Sequence, residues 1–239
     1  MQPWSIEMTN GRGACRDNEP KCDDRESVST RGDGRLSSLV LIGIMVLGAV
    51  VRLYHLGKQS LWVDEVLSVH GASDILQKGF WSQVFNPHGP ICYYTVASVL
   101  PLGTAEWILR LPSAIFGIAL VWVMYLLGME IGGRRLGLMA GFVTALSPFG
   151  VWYSQEARYV SVFVLFAAAS TLFTLRFATR ARKRDLTGYV VTTLLMLLSF
   201  VGGVFLVLAQ NVFAFCSGRR WPLIRSWLVG QVLAHELGH

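Results

Sequence analysis

Two adjacent carboxylates, Asp64 and Glu65, are the residues of this sequence whose type and position most directly suggest chemistry. They follow Trp62 and Val63 just past a long apolar segment, a setting in which a carboxylate is costly to hold. Such a group could act as a general base towards a hydroxyl or an amine, or could bind a divalent cation. The alternative interpretation is an interfacial loop with two solvated acids, and composition alone gives both interpretations similar weight.

A second polar segment, residues 153–159, contains Glu156 and Arg158. An arginine at this position could bind a phosphate through two parallel hydrogen bonds. The alternative is a polar turn with an internal Glu–Arg pair. A third polar segment, residues 86–90, contains His88 between prolines and a glycine, and a single histidine in such a turn is more often solvated than a ligand.

Long apolar blocks surround these polar segments and indicate how they are positioned. Of the 239 residues, 53% are hydrophobic and only 15% are charged, against about 25% in soluble domains. This composition predicts a polytopic membrane protein with an all-α fold, a transmembrane bundle of about seven spans. The predicted spans are residues 36–56, 109–132, 136–153, 159–177, 186–203, 204–217 and 223–239.

Residues 57–108 are expected to form one outward-facing loop, because their apolar stretches are short or interrupted. A surface helix is predicted at residues 72–85, with Ser73 as its N-cap and Trp81 as an interfacial anchor. A second, partly buried helix is predicted at residues 90–102. A full crossing at residues 91–104 is rejected, because it would place the basic loops on both sides of the membrane.

The basic residues predict the orientation. They cluster at residues 134–135, 180–184 and 219–220, and the predicted spans place all three clusters on one side, the cytoplasmic one. The net charge of +6 is therefore a topology signal, and no nucleic-acid partner is expected. The adjacent acids, His88, Glu156 and Arg158 all fall on the opposite, extracytoplasmic face, where they could meet in one cavity.

The N-terminal residues differ from the rest. Residues 1–35 are polar and are expected to be a disordered cytoplasmic tail, followed by a transmembrane module at residues 36–239. Arg52, near the end of the first span, is expected to extend its side chain to the membrane interface. The four cysteines lack the spacing of a metal site or disulfide framework and are expected to be free thiols.

Taken together, these segments resemble the GT-C superfamily of membrane glycosyltransferases, of the protein O-mannosyltransferase and aminoarabinose transferase type (glycosyltransferase family 39). The similarity covers about residues 40–230, and the matching segments occur in the order of the family. They are Arg52 and residues 61–65, 88–90, 110–113, 146–148, 153–159 and 208–211.

The resemblance implies transfer of a sugar, with inversion, from a polyprenyl-phosphate donor to a protein, lipid or polysaccharide acceptor outside the cytoplasm. Asp64 would act as the general base or would orient the acceptor, Glu65 would complete the catalytic pair, and Arg158 would stabilise the departing phosphate. The other substrate-binding residues would be His88, Glu156 and Tyr159. No cofactor is implied except a divalent metal, which some relatives use. The expected location is a bacterial plasma membrane.

The sequence also departs from the pattern of the family. His88-Gly89-Pro90 stands where relatives commonly have His-Pro-Pro, and Gly202 or Gly203 stands where a histidine often follows the fifth span. Relatives also continue with further spans, so the chain is expected to be an N-terminal fragment of such an enzyme.

A competing motif lies in the last residues. His235, Glu236 and His239 fit the pattern His-Glu-x-x-His, in which two histidines bind zinc and the glutamate acts as the base. This segment resembles membrane zinc metalloproteases, although a catalytic zinc needs a third protein ligand, which would lie downstream. The alternative functions are therefore a membrane metalloprotease or a non-catalytic membrane protein such as a transporter subunit.

Overall fold

The computed structural model of the protein describes residues 24–83 and 89–216, and the regular structure in these ranges is helical throughout. Residue contacts divide the chain into a unit of residues 1–38 and a unit of residues 39–239, and the site described below lies in the second unit. The predicted all-α fold is confirmed. The α-helices are α1 (Asp24–Leu53), α2 (Val63–Lys78), α3 (Pro90–Val99), α4 (Glu106–Leu146), α5 (Pro148–Ser154), α6 (Tyr159–Arg180), α7 (Lys183–Ser199) and α8 (Gly203–Cys216), with short 3-10 turns at Phe80–Gln83 and Leu100–Leu102.

Three helical segments of the described part are long and apolar enough to cross a membrane: Leu36–Leu53, Glu106–Leu146 and Tyr159–Arg180. The chain is therefore an integral membrane protein. The 41-residue α4 contains non-helical backbone at Gly132 and Gly133, so it is two helices joined at a kink, where the sequence predicts the gap between two spans. Helices α7 and α8 are shorter, at 17 and 14 residues. The span predicted at residues 223–239 lies outside the described residues.

The end of α4 differs from the prediction of a span at residues 136–153. The helix stops at Leu146, because Pro148 cannot continue it and instead occupies the first turn of α5. Ser147 caps α5 by accepting a hydrogen bond from the backbone N–H of Gly150 at 3.3 Å. This break turns the chain towards the polar segment at residues 153–159.

The helix in the first loop begins earlier than predicted, so the predicted bounds 72–85 and the N-cap at Ser73 are wrong. Ser73 lies inside α2, where its hydroxyl donates to the carbonyl of Val69. The N-terminal signal that decides the start is Glu65, whose carboxylate accepts the backbone N–H of Trp62 at 3.0 Å. The adjacent acids therefore occupy the first turn of a helix rather than a loop.

Two further elements of the loop and tail region bear on the predicted topology. Helix α3 has 10 residues, about 15 Å of length, which is about half of the hydrocarbon core and agrees with the rejected crossing at residues 91–104. Helix α1 begins at Asp24, inside the segment expected to be a disordered tail. Extending an existing helix costs far less than starting one, which explains how polar residues 24–35 can continue it.

The prediction that Arg52 reaches the interface is wrong, because its side chain is fully buried. Its guanidinium donates to the carbonyls of Gly48 (3.1 Å), Ala145 (3.0 Å) and Thr144 (3.0 Å). The last carbonyls of a helix lack partners within the helix. Arg52 supplies hydrogen-bond donors for these carbonyls at the end of α4, and so joins the C-terminal ends of α1 and α4.

The segment that follows α5 is fixed to the end of α1 by Gln155. Its side-chain amide donates to the carbonyls of Val51 (3.2 Å), Arg52 (3.3 Å) and Tyr54 (2.9 Å). A small apolar cluster holds the same segment against the first loop. The cluster consists of Ala72, Val96, Ala97, Leu109 and Ala157, from α2, α3, α4 and the segment itself. The 153–159 segment is therefore packed against α2.

Candidate catalytic site

The carboxylate of Glu65 accepts four hydrogen bonds from the protein. Its side chain is fully buried, and each carboxylate oxygen accepts two N–H groups. Oε1 accepts from Nε of Arg110 (2.8 Å) and from the backbone N–H of Ala157 (2.8 Å). Oε2 accepts from Nη2 of Arg110 (2.7 Å) and from the backbone N–H of Trp62 (3.0 Å). Glu65 thus connects α2, α4 and the 153–159 segment through one carboxylate.

Arg110, in the first turns of α4, uses the rest of its guanidinium to hold the preceding loop. It donates to the backbone carbonyls of Leu56 (3.1 Å), Gln59 (2.9 Å) and Ser60 (3.3 Å). With the two bonds to Glu65, these contacts number as many as the five N–H donors that an arginine carries. The side chain is only 3% exposed. The Glu65–Arg110 pair is therefore a saturated, fixed element.

The charge of Glu65 depends on these contacts. Burial alone raises the pKa of a carboxyl group, because it disfavours the charged form. The hydrogen bonds from Arg110, Ala157 and Trp62 outweigh burial and hold the pKa of Glu65 below its ordinary value. Glu65 is therefore ionised at neutral pH, and its oxygens have no free lone pairs facing a substrate.

Asp64 has the opposite environment, although it is the neighbour of Glu65 in the sequence. Its side chain is 56% exposed, and its Oδ2 lies 3.0 Å from Nη2 of Arg158. Nη1 of Arg158 lies 3.6 Å from Oε2 of Glu156. An ion pair with this much exposure contributes about 0–1 kcal/mol to stability. Asp64 therefore carries an accessible carboxylate in a weakly held contact.

Glu156 stands on the other side of Arg158. Its Oε1 accepts the indole N–H of Trp152 at 2.7 Å, which fixes the orientation of the carboxylate. Its Oε2 is buried and has no hydrogen-bond partner among the described residues. Arg158 therefore lies between the two carboxylates of Asp64 and Glu156, with one close and one longer contact.

A cavity of about 100 Å³ opens beside this pair. Its lining consists of Asp64, Leu67, Ser68, Cys92, Tyr93, Arg158 and Tyr159. Burial raises the pKa of the Cys92 thiol to about 11, so this wall of the cavity is neutral. A carboxylate and a guanidinium on one small cavity can take up a proton and bind an anion at neighbouring points.

Tyr159, which lines the cavity, and Gly89, which precedes α3, contact the C-terminal end of α7. The ring of Tyr159 stacks on Phe200 with centroids 5.0 Å apart. Gly89 has a φ of +80°, and a Cβ added there would clash with the backbone carbonyl of Ser199. A proline, whose φ is fixed near −65°, cannot adopt this backbone. The glycine in place of the second residue of His-Pro-Pro therefore has a structural reason.

The structure brings together four of the sequence-predicted site residues, Asp64, Glu156, Arg158 and Tyr159, and separates Glu65 from their cavity. His88 and the metalloprotease residues His235, Glu236 and His239 lie outside the described residues. Within residues 24–83 and 89–216, no three His, Cys, Asp or Glu side chains lie together as ligands for a metal ion.

Sequence reasoning missed several residues of the site. Ser68 lies one helical turn after Asp64 and donates to its backbone carbonyl at 3.1 Å. A predicted helix that starts at residue 63 would have placed Ser68 on the same face as Asp64. Arg110 belonged to a matching segment but had no assigned role, and the available signal was a single cation at the start of an apolar block. Cys92 and Tyr93 carried no signal, because their place in the cavity depends on how α3 packs against α2.

These observations define an integral membrane protein of helical fold, with an acidic and basic site where loops meet the ends of its helices. Residues 87–235 match the family described as dolichyl-phosphate-mannose-protein mannosyltransferase. The match covers more than half of the chain, and the chain belongs to this family. The predicted resemblance to GT-C glycosyltransferases is confirmed.

The fold is similar to that of the S. cerevisiae protein O-mannosyltransferase Pmt1-Pmt2 complex bound to the sugar donor, with a TM-score of 0.67 and 18% sequence identity. The similarity covers 84% of this chain and 32% of that chain, so the protein spans about a third of the length of this relative. No curated protein sequence matches the chain.

Proposed function

We propose that the protein acts as a membrane glycosyltransferase of the mannosyltransferase type, with a polyprenyl-phosphate sugar as its donor. The observation that carries this proposal is the exposed carboxylate of Asp64, 3.0 Å from Arg158 at the wall of a cavity. Membership of the mannosyltransferase family supports the same reaction. The acceptor would be a hydroxyl or amine of a protein, lipid or polysaccharide.

In the proposed reaction the oxygen or nitrogen of the acceptor attacks the anomeric carbon while the bond from that carbon to the phosphate oxygen breaks. The acceptor proton passes to Asp64, the general base. The bonding electrons leave with the lipid phosphate, whose developing charge Arg158 stabilises. A single displacement inverts the anomeric configuration. Tyr159 and Glu156 would complete the substrate site.

Glu65 would act as a positioning residue in this scheme. All four of its hydrogen bonds are made within the protein, so it has no capacity left for a substrate. It fixes the first turn of α2 against α4 and the segment that carries Arg158. The spacing between Asp64 and Arg158 therefore depends on Glu65.

The orientation of the site is part of the proposal. Helix α6 has 22 residues, about 33 Å, which separates Tyr159 at the cavity from Arg180 at the other end. Arg176 and Arg180 contact Glu130 there, at 3.3 and 2.7 Å, close to the basic residues of the following turn. Basic ends of spans favour the cytoplasmic side. The site would then face the extracytoplasmic side of a bacterial plasma membrane.

The test is sugar transfer from a polyprenyl-phosphate donor by the full chain in proteoliposomes. Asp64→Asn is expected to lower the rate by about 10²–10⁴-fold, the usual contribution of a general base. Asp74→Asn is the matched control, because Asp74 lies on the same helix outside the cavity lining, where it pairs with Lys78 (2.7 Å) and accepts a hydrogen bond from Gln83 (3.4 Å). The proposal is contradicted if the wild-type protein transfers no sugar, or if Asp64→Asn keeps the wild-type rate.

A further inference from the structure

Two arginines contact the adjacent acids of α2 in different ways. Arg110 makes five hydrogen bonds and is 3% exposed. Arg158 is 29% exposed and reaches Asp64 through one terminal nitrogen only. Its other terminal nitrogen lies 3.6 Å from Glu156, which is longer than a hydrogen bond. One pair is therefore fixed, whereas the other can exchange its partner.

We propose that Arg158 is an exchangeable partner of Asp64, and that the phosphate of the donor draws its guanidinium away and so frees the Asp64 carboxylate for the acceptor. This inference rests on the proposed function. The exchange makes Oδ2 of Asp64 fully available to the acceptor once the donor has bound. After transfer, Asp64 releases the acceptor proton to solvent and the lipid phosphate departs, so Arg158 returns to the Asp64 carboxylate and the cycle closes.

The local geometry favours a phosphate as the competing ligand. A guanidinium can bind two phosphate oxygens in parallel, whereas Asp64 engages only one of its terminal nitrogens. Arg158 is also the N-cap residue of α6 and makes no side-chain cap to it. The positive end of this 22-residue helix therefore lies at the cavity wall beside the guanidinium, which adds to the attraction for an anion.

The state without donor also has a physical consequence for Asp64. While Nη2 of Arg158 lies 3.0 Å from Oδ2, the guanidinium engages that oxygen and makes it less available to the proton of an acceptor. Glu156 lies on the far side, and its buried Oε2 has no hydrogen-bond partner in the described part of the chain. A small rotation of Arg158 towards the cavity would separate it from Asp64 without breaking any of the bonds that hold Glu65.

The experiment measures how fast a carbodiimide labels Asp64 in the purified full chain, with peptide-resolved mass spectrometry as the readout. Polyprenyl phosphate is added in nanodiscs, and its binding is measured separately with a fluorescent analogue. In the wild type the lipid is expected to raise the rate of Asp64 labelling by about two- to fivefold. This is the factor by which the loss of a weak, exposed ion pair shifts the equilibrium towards a free carboxylate. Labelling of Asp74 on the same helix is the internal control and is expected to stay constant.

The variant Arg158→Gln separates exchange from simple shielding. It is expected to show the high labelling of Asp64 without any lipid, and added lipid is expected to give no further increase. The inference is overturned if lipid binds the wild type but Asp64 labelling stays constant or falls. An equal response to inorganic phosphate would overturn the assignment to a lipid-linked phosphate. A wild-type protein that binds no polyprenyl phosphate would overturn the proposed donor site itself, and the exchange with it.

Discussion

Replacing Glu65 with glutamine tests the view that this acid holds the site together rather than reacting. Each oxygen of Glu65 accepts one guanidinium N–H and one backbone N–H. A glutamine side chain replaces one oxygen with an NH₂ group. In either amide orientation two N–H donors of the protein then face another donor, and Arg110 becomes a buried cation without a compensating charge.

The magnitude follows from these contacts. Removing one partner of a buried, hydrogen-bonded ion pair costs about 3–5 kcal/mol. For a protein of this size that cost corresponds to a fall in melting temperature of roughly 6–20 °C. Asp64→Asn is the matched control, because it changes the neighbouring carboxylate in an exposed pair whose loss costs about 0–1 kcal/mol.

The assay is thermal unfolding of the purified protein in detergent, followed by size-exclusion chromatography of the heated samples. The expected result is a large loss of stability in Glu65→Gln and almost none in Asp64→Asn. Equal melting temperatures of Glu65→Gln and the wild type would refute the reasoning. An equally large loss in both variants would refute the contrast between the buried Glu65–Arg110 pair and the exposed Asp64–Arg158 pair.

Three further predictions concern other contacts of the site. The pKa of Glu65 is held below its ordinary value in the folded protein. Its contribution to stability is therefore present above the unfolded pKa of about 4.3 and is lost as the pH falls through the lower folded pKa. At pH values below about 4 the melting temperature is expected to fall, and to fall less steeply in Glu65→Gln. Because burial raises the pKa of Cys92 to about 11, iodoacetamide is expected to label it very slowly at pH 7.5 and faster only as the pH approaches 10. Gly89→Ala is expected to destabilise the protein by more than Gly133→Ala. Both glycines have positive φ, so both variants carry a strain cost of about 1–3 kcal/mol. Of the two, only an alanine at position 89 would also clash with the carbonyl of Ser199.

Each of these predictions has a contradicting outcome in the same measurement. Parallel pH profiles of the wild type and Glu65→Gln would show that Glu65 does not titrate with unfolding. Rapid labelling of the Cys92 peptide at pH 7.5 would show that the thiol is not buried. Equal melting temperatures for the two glycine variants would show that Ser199 does not approach Gly89.

The membership of Asp64, Glu156 and Arg158 in one site could be predicted, because alternation of spans places their segments on the same side. The start of α2 could not be predicted with the same rules. Its N-terminal signal is Glu65 accepting the N–H of Trp62, which is a local contact. The carboxylate is held there by Arg110, 45 positions away in the sequence.

Sequence patterns also could not predict the positions of Cys92 and Arg52, because both depend on contacts between residues that are distant in the chain. Cys92 reaches the cavity through the packing of α3 on α2, and its nearest polar contact, Ser68, is 24 positions away. Arg52 looks like a cation at the end of an apolar span, for which the membrane interface is the usual place. The carbonyls at the end of α4, 92 and 93 positions away, provide a buried alternative.

The sequence by itself determined that this is a helical membrane protein, because continuous apolar blocks of about 20 residues match the length of a helix that crosses the membrane and satisfies its own backbone. It also determined which polar segments meet at one end of the bundle. Only the tertiary structure decided the environments of Asp64 and Glu65, which differ by one methylene group and one position. The difference comes from partners distant in the chain: Arg110 and Ala157 enclose Glu65, whereas Asp64 faces Arg158 and the cavity.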